Sequence, residues 1–124
     1  MNIFFNYIIK ELKSFRHAFR GIKFLSRDHN YYFHFPVGVL IFILGWYLEI
    51  TREDWLWIVL ATGLVWLSEA FNTAIEKSID LVHPQIHPLA GKVKDIAAAA
   101  VLISVFISGT IGILVLYPYI YALI

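Results

Sequence analysis

Four polar side chains recur in a stretch of otherwise apolar sequence, and they are the groups best able to do chemistry: Glu69, Asn72, Glu76 and Asp80. On a helix all four fall within about 80° of one another, so they form one polar stripe. The two glutamates lie about 10 Å apart along the helix axis. Such acids can act as a general base, hold a metal ion or relay protons. Hydrogen bonding between helices is the structural alternative, but acids on one face repel one another unless a cation lies among them.

The loop that follows the stripe adds further side chains of the ligand type: Asp80, His83, Gln85, His87, Lys92, Lys94 and Asp95. The histidines could indicate a transition-metal site. The chain has no cysteine, however, and carboxylates suit hard cations, so oxygen-ligated Mg²⁺ is the better interpretation. That metal ion, or Lys94, would supply positive charge among the acids. The motifs GxxxxGK[ST] and GxGxxG are absent, so a nucleotide site here would be built differently.

The composition places these groups in a membrane. Of 124 residues, 60% are hydrophobic and 15% charged, against about 45–50% and about 25% in soluble domains. A soluble domain of this size buries only about two-thirds of its unfolded surface. A soluble enzyme, a secreted disulfide scaffold and a disordered tail are therefore excluded, and the net charge of +1 argues against a nucleic-acid partner. Three stretches approach the about 20 apolar residues that a membrane span needs: 31–50, 55–82 and 96–118.

Basic residues set the expected orientation. Six of them precede the first span, the first turn contains only Arg52, and three more lie from the end of the second span to the start of the third: Lys77, Lys92 and Lys94. Because positive charge favours the cytoplasmic side, we expect the N-terminus and the 77–95 region in the cytoplasm and the C-terminus outside.

An amphipathic pattern precedes the first span. Apolar residues recur at steps of three and four from Phe4 to Ile22, which predicts a helix over 3–27 that lies on the membrane surface. The expected fold class is therefore an all-α membrane protein, with one domain over 1–124. It has three transmembrane helices and an N-terminal amphipathic surface helix.

The run from Glu69 to Asp80, EAFNTAIEKSID, resembles the signature of the prokaryotic diacylglycerol kinase family, E-x-x-N-[ST]-[AS]-[LIV]-E-x-x-x-D. Residues 87–95 (HPLAGKVKD) resemble the second block of that family, and residues 14–22 (SFRHAFRGI) its N-terminal block. The resemblance covers nearly the whole chain. It implies a small integral-membrane lipid kinase of the bacterial cytoplasmic membrane that assembles as a homotrimer.

The resemblance also implies a reaction, the transfer of the γ-phosphoryl group of Mg-ATP to a primary alcohol of a membrane lipid. Glu69 matches the general base that acts on the lipid hydroxyl, and Asp28 and Glu76 match the metal ligands. Further matched positions line the nucleotide site, with Lys10 and His17 contributing from the surface helix: Asn72, Glu76, Asp80, Gln85, His87, Lys94 and Asp95.

Three residues depart from the family pattern. Asp28 stands where glutamate is usual, His17 where many members have tyrosine, and Tyr32 where some have a basic residue. None of them touches the 69–80 signature, so an active kinase is expected. The family divides into diacylglycerol kinases and undecaprenol kinases. The residues at positions 72–76 and 87–90 resemble the undecaprenol kinases more, which favours undecaprenol as the substrate.

A non-enzymatic cation or proton carrier that uses the same acids as a relay is the alternative from another class. A carrier needs polar side chains through the full depth of the bilayer. Between Trp55 and Leu67 only Thr62 is polar, which favours the kinase.

Overall fold

The computed structural model describes residues 3–29 and 31–124, and all of the regular structure in these residues is helical. The helices follow in the order α1 (Ile3–Leu25), α2 (Tyr31–Tyr47), α3 (Arg52–Val82) and α4 (Pro88–Tyr121). The most extensive packing joins α3 to α4, and a smaller contact joins α2 to α3. The helix that carries the polar stripe, α3, therefore contacts both of its neighbours.

Two helices begin earlier than the sequence predicted, because each has a strong N-terminal cap. At α3 the Thr51 hydroxyl accepts a hydrogen bond from the Asp54 N–H at 3.2 Å, which satisfies one of the free donors of the first turn. At α4 the His87 Nδ1 atom accepts from the Leu89 N–H at 3.2 Å, and Pro88 suits the first helical position. The charged residues 92–95 are consequently helical rather than part of a loop.

The first predicted span, 31–50, ends as a helix at Tyr47. Glu49 adopts a left-handed conformation with φ 49°, and the Ile50 N–H donates to the Gly45 carbonyl at 3.3 Å, which closes the helix. With 17 residues, α2 is about 25 Å long. Among the described residues, α3 and α4 are the two helices long and apolar enough to cross a membrane, whereas α2 is apolar but shorter.

A helix is observed where the sequence predicted one over 3–27, as α1, which ends at Leu25; its location on the membrane surface stays a prediction. Its apolar side chains are exposed on the chain, as an amphipathic helix resting on a membrane would leave them: Phe5, Ile8, Leu12, Phe15, Phe19 and Ile22. The side chain of Phe4, which the sequence assigned to the same face, lies outside the described part.

The apolar core occupies one end of the bundle. Ile50, Ile58 and Leu116 form its buried centre. Next to it the Tyr119 hydroxyl accepts from the Thr51 N–H at 3.1 Å and donates to the Asp54 carboxylate. These hydrogen bonds tie the end of α4 to the α2–α3 turn, so this end of the bundle is closed.

Hydroxyl groups join α3 to α4 along their length. The Ser68 and Ser104 hydroxyls lie 2.7 Å apart, and the Ser108 hydroxyl donates to the Ala61 carbonyl at 2.8 Å. Small residues that hydrogen-bond across a contact let two apolar helices approach closely.

The contact of α2 with α3 depends on Gly38. A Cβ atom at this position would lie 2.6 Å from side-chain carbons of both Thr62 and Trp66, well inside van der Waals contact. The absence of a side chain at Gly38 therefore sets how closely α2 can approach α3.

We expect Gly38→Ala to lower the unfolding temperature in detergent, because overpacking at a close helix contact costs about 1–3 kcal/mol. Gly63→Ala is the matched control, since a Cβ there would meet nothing within 4 Å. The control should be neutral or slightly stabilising, because alanine favours a helix over glycine. Equal unfolding temperatures for the two variants would show that the Gly38 contact does not limit packing.

Candidate active site

Side chains of α2, α3 and α4 surround a polar cavity of about 380 Å³. From α3 come Glu69, Asn72 and Glu76, three of the four residues of the predicted stripe. The other walls come from the loop before α2, from the first turn of α2 and from α4: His29, Phe33, His34, Ala98 and Val101. The spacing in the sequence therefore predicted correctly that these three α3 side chains share one face.

Glu69 and Asn72 are almost completely buried, at 2% and 3% exposure. Burying an ionisable group costs free energy unless its surroundings compensate, and at membrane depth such groups are rarely accidental. A carboxylate retained in this position therefore indicates a functional site rather than packing.

Asn72 is hydrogen-bonded to the second glutamate of the stripe. Its Nδ2 atom donates to Glu76 Oε1 at 3.3 Å. Its Oδ1 atom is buried without a hydrogen-bond partner among the residues that the structure describes. A buried acceptor that the fold leaves unused is costly, so this oxygen is available to a donor or a cation brought by a ligand.

A second group of polar residues lies beyond the cavity, where α3 ends and α4 begins. Lys94 pairs with Asp80, and both side chains keep substantial exposure. His87, the cap of α4, stacks on His83 with ring centroids 5.5 Å apart. Gln85 and Asp95, two other residues predicted for the nucleotide site, are exposed in the same region.

Asp28, the predicted partner of Glu76 in holding a metal, is not among the residues that line the cavity, although the adjacent His29 is. Its carboxylate is half buried and lies 3.3 Å from the Lys77 ammonium. Sequence reasoning did not foresee this ion pair, because it joins the loop after α1 to a residue of α3 that lies far along the chain.

Lys10 and His17, predicted to reach the site from α1, are both exposed on that helix. In the described part of the chain neither side chain is joined to the cavity by a hydrogen bond or an ion pair. Their predicted contribution stays a prediction.

The donor set of the cavity suits a hard cation that arrives with its own ligands. Within residues 3–29 and 31–124 no three acidic, histidine or cysteine side chains lie close enough to hold a metal by themselves. Mg²⁺ is usually held by one or two carboxylates together with substrate phosphates. Glu76 and the unused amide oxygen of Asn72 are oxygen donors of that type.

An apolar groove of about 490 Å³ adjoins the cavity and runs along the bundle. Its walls come from residues between 33 and 41 of α2 and between 105 and 120 of α4, and from Ile58, Ala61, Thr62 and Val65 of α3. Phe33 and His34 line both the groove and the polar cavity, so the two spaces border each other at the start of α2. The apolar groove and the cavity that contains Glu69 therefore share a wall.

Three wall residues of the cavity were not among those predicted from the sequence: His29, Phe33 and His34. One signal was available for His34, which is the only strongly polar side chain in residues 31–48. Polar groups inside a predicted span face the bundle interior by default, and the same rule that identified Glu69 applied to this histidine.

The model of the prokaryotic diacylglycerol kinase family matches residues 16–116. This match covers most of the chain, so the chain belongs to the prokaryotic diacylglycerol kinase family and is a lipid kinase. The resemblance indicated by the sequence motifs is thereby confirmed.

The relatives are named either undecaprenol kinase or diacylglycerol kinase. The undecaprenol kinase of Bacillus subtilis (strain 168) is 39% identical over 91% of this chain and 93% of its own length. A diacylglycerol kinase of Synechocystis sp. is 32% identical over 86% of this chain and 62% of its own length. The diacylglycerol kinase of Escherichia coli (strain K12) is 24% identical over 78% of this chain and 80% of its own length.

We expect Asn72→Leu to raise the unfolding temperature in detergent. Leucine fills a similar volume and removes a buried acceptor that costs about 1–3 kcal/mol when unpaired. Ser104→Ala is the control, because the Ser104 hydroxyl is buried and paired with Ser68 and the Val101 carbonyl, and it should be destabilising. If Asn72→Leu destabilises the protein as much as the control does, the fold itself uses the Asn72 oxygen.

Proposed function

We propose that this protein transfers the γ-phosphoryl group of ATP to the hydroxyl of a membrane lipid alcohol, undecaprenol in preference to diacylglycerol. The observation that carries the proposal is a buried carboxylate, Glu69, in a polar cavity that borders an apolar groove. A reaction between a water-soluble donor and a lipid-soluble acceptor needs both environments next to each other.

Glu69 is the general base. Its carboxylate takes the proton of the lipid hydroxyl as the hydroxyl oxygen forms a bond to the γ-phosphorus. The bond from that phosphorus to the bridging oxygen of ATP breaks, and ADP leaves with the electron pair. Positioned proton transfer of this kind contributes about 10²–10⁴ to a rate, and most of the remainder comes from positioning and charge stabilisation.

The phosphate groups lie toward Glu76 and Asn72. These two residues would hold Mg²⁺, which neutralises phosphate charge when it is bound. Asp28 is the second carboxylate that we assign to the metal. To bind the metal ion, its carboxylate would have to give up its ion pair with the Lys77 ammonium. Because Asn72 donates to Glu76, it also fixes the direction in which the Glu76 carboxylate points.

The nucleotide approaches from the region where α3 ends and α4 begins. There Lys94 contributes positive charge toward the phosphates, and its pairing with Asp80 holds the ammonium in place. We assign Gln85, His87 and Asp95 to the same nucleotide site, with Lys10 and His17 reaching it from α1.

The apolar groove receives the hydrocarbon chain of the lipid. It continues beyond His34 between apolar and small side chains, which suits a hydrocarbon rather than a hydrated cation. The preference for undecaprenol is supported by the relative of that name, which is 39% identical over more than nine-tenths of both proteins. Relatives named diacylglycerol kinase are 24% to 36% identical over smaller shares of this chain.

The proposal includes a topology and an assembly. We infer three membrane spans, with α2 joining α3 and α4 as a short span, the N-terminus in the cytoplasm and the C-terminus outside. Exposed apolar side chains on α4, such as Phe106 and Leu114, need lipid or partner helices to cover them. A homotrimer in the bacterial cytoplasmic membrane would cover part of this surface.

We expect detergent-solubilised protein with Mg-ATP to phosphorylate a lipid alcohol, and we expect Glu69→Gln to lower kcat by about 10²–10⁴. The amide has the same shape but cannot take the hydroxyl proton, so nucleotide binding should persist. The measurement is transfer of labelled phosphate to lipid, together with ATP binding by both proteins.

Glu53→Gln is the control for that experiment, because Glu53 is an exposed acid in the first turn of α3, outside the cavity. It should keep the activity of the unaltered protein. Full activity in Glu69→Gln would remove the base assignment, and no ATP-dependent lipid phosphorylation by the unaltered protein would contradict the kinase proposal itself.

We expect Gly112→Leu to raise the KM for undecaprenol about tenfold, because apolar contacts of this size change affinity by that order. Gly112 lines the groove, and a Cβ there meets nothing within 4 Å. The leucine side chain would therefore occupy the space that we assign to the hydrocarbon chain of the lipid. The assay supplies undecaprenol and diacylglycerol as competing substrates in the same micelles.

Gly63→Leu is the matched control, since Gly63 is equally open and lines neither space. An unchanged KM in Gly112→Leu would show that the lipid chain does not occupy the groove. Preferential phosphorylation of diacylglycerol by the unaltered protein would overturn the preference for undecaprenol and leave the class of reaction intact.

A further inference from the structure

His34 lies where the polar cavity meets the apolar groove. It lines both spaces, together with Phe33, and it is half buried in the first turn of α2. Phe33 has no hydrogen-bonding side chain, so His34 is the polar wall residue that the two spaces share.

The backbone of His34 is fixed to the helix that carries Glu69. The Trp66 indole N–H donates to the His34 carbonyl at 3.2 Å. Trp66 lies three residues before Glu69, which places the two side chains on neighbouring positions of the same face of α3. The close contact at Gly38 also holds α2 against Trp66. The position of His34 is therefore set relative to Glu69 by rigid elements.

The imidazole ring itself is left available. It packs edge-on against the Phe33 ring, with centroids 5.5 Å apart. In the part of the chain that the structure describes, its ring nitrogens take part in no hydrogen bond or ion pair. A neutral imidazole offers one N–H donor and one acceptor, and a polar ring at an apolar boundary costs free energy unless something pairs with it.

On the basis of the proposed lipid kinase function, we propose that His34 is a positioning residue for the lipid alcohol. Its imidazole N–H donates a hydrogen bond to the hydroxyl oxygen of the substrate as the hydrocarbon chain lies in the groove. The hydroxyl proton then points to Glu69, and the remaining lone pair of the oxygen is free to attack the γ-phosphorus. His34 fixes the head of the lipid at the boundary, and Glu69 takes the proton.

The test compares His34→Leu, which cannot hydrogen-bond, with His34→Gln, whose longer amide can donate from a similar position. Steady-state rates are measured with undecaprenol and with ATP as the varied substrate. His34→Leu should lower kcat/KM for the lipid about ten- to a hundredfold, as expected from a lost contact that aligns a reacting atom. The KM for ATP should stay unchanged, and His34→Gln should recover most of the loss.

Two further variants separate hydrogen bonding from packing. Phe33→Leu alters the same wall without touching a hydrogen-bonding group, and it should cause a smaller loss than His34→Leu. The asparagine of His34→Asn is polar but shorter, so this variant should keep the low kcat/KM for the lipid that His34→Gln restores. If His34→Leu does not fold, the comparison of the asparagine and glutamine variants tests the hydrogen bond.

Equal lipid kcat/KM for His34→Leu and the unaltered protein would overturn the proposal, and so would equal losses in the glutamine and leucine variants. Either result leaves the lipid kinase function standing, since that function is tested by the activity of the unaltered protein. Absence of lipid phosphorylation by the unaltered protein would instead remove the proposed function, and with it the role of His34.

Discussion

The constraint on which the rest of the structure depends is the burial of the Glu69 carboxylate. A charged group in an apolar bundle is tolerated only if polar neighbours or a ligand compensate for lost hydration. At 2% exposure, Glu69 has little access to water. This requirement is met in part by the neutral amide of Asn72 on the same face of α3, whereas Glu76 adds a second acid and therefore the need for a cation in the cavity that they share.

A bundle that keeps one end polar must obtain its stability elsewhere. The apolar centre around Ile58 and Leu116 lies at the other end, and the Tyr119 hydroxyl fastens α4 to the α2–α3 turn there. Between the two ends, the Ser68–Ser104 pair holds α3 and α4 together without bulky side chains. Packing therefore stabilises one end of the bundle, and the polar cavity lies toward the other, with the apolar groove running between them.

The features that could be predicted from the sequence are those that depend on the periodicity of a single helix. The shared face of Glu69, Asn72 and Glu76 follows from helical geometry alone, and so does the exposed apolar face of α1. What could not be predicted from the sequence depends on how separate elements approach one another. The placement of His34 beside the cavity results from the Gly38 contact with Trp66, and the end of α2 results from a left-handed residue at Glu49. Neither leaves a periodic signal in the sequence.

The absence of a glycine-rich phosphate loop from a kinase sequence has a physical explanation in this arrangement. Phosphoryl transfer needs positioned charge and an aligned acceptor more than it needs a particular fold. A membrane already concentrates and orients the lipid acceptor, because its hydrocarbon chain must remain in the apolar layer. The protein therefore has to supply only a groove that guides the chain, a carboxylate at the depth of the hydroxyl and oxygen donors facing the aqueous side. Under the proposed function, three apolar helices and a few polar residues on one face of α3 would supply these groups, so a short chain would be enough to build them.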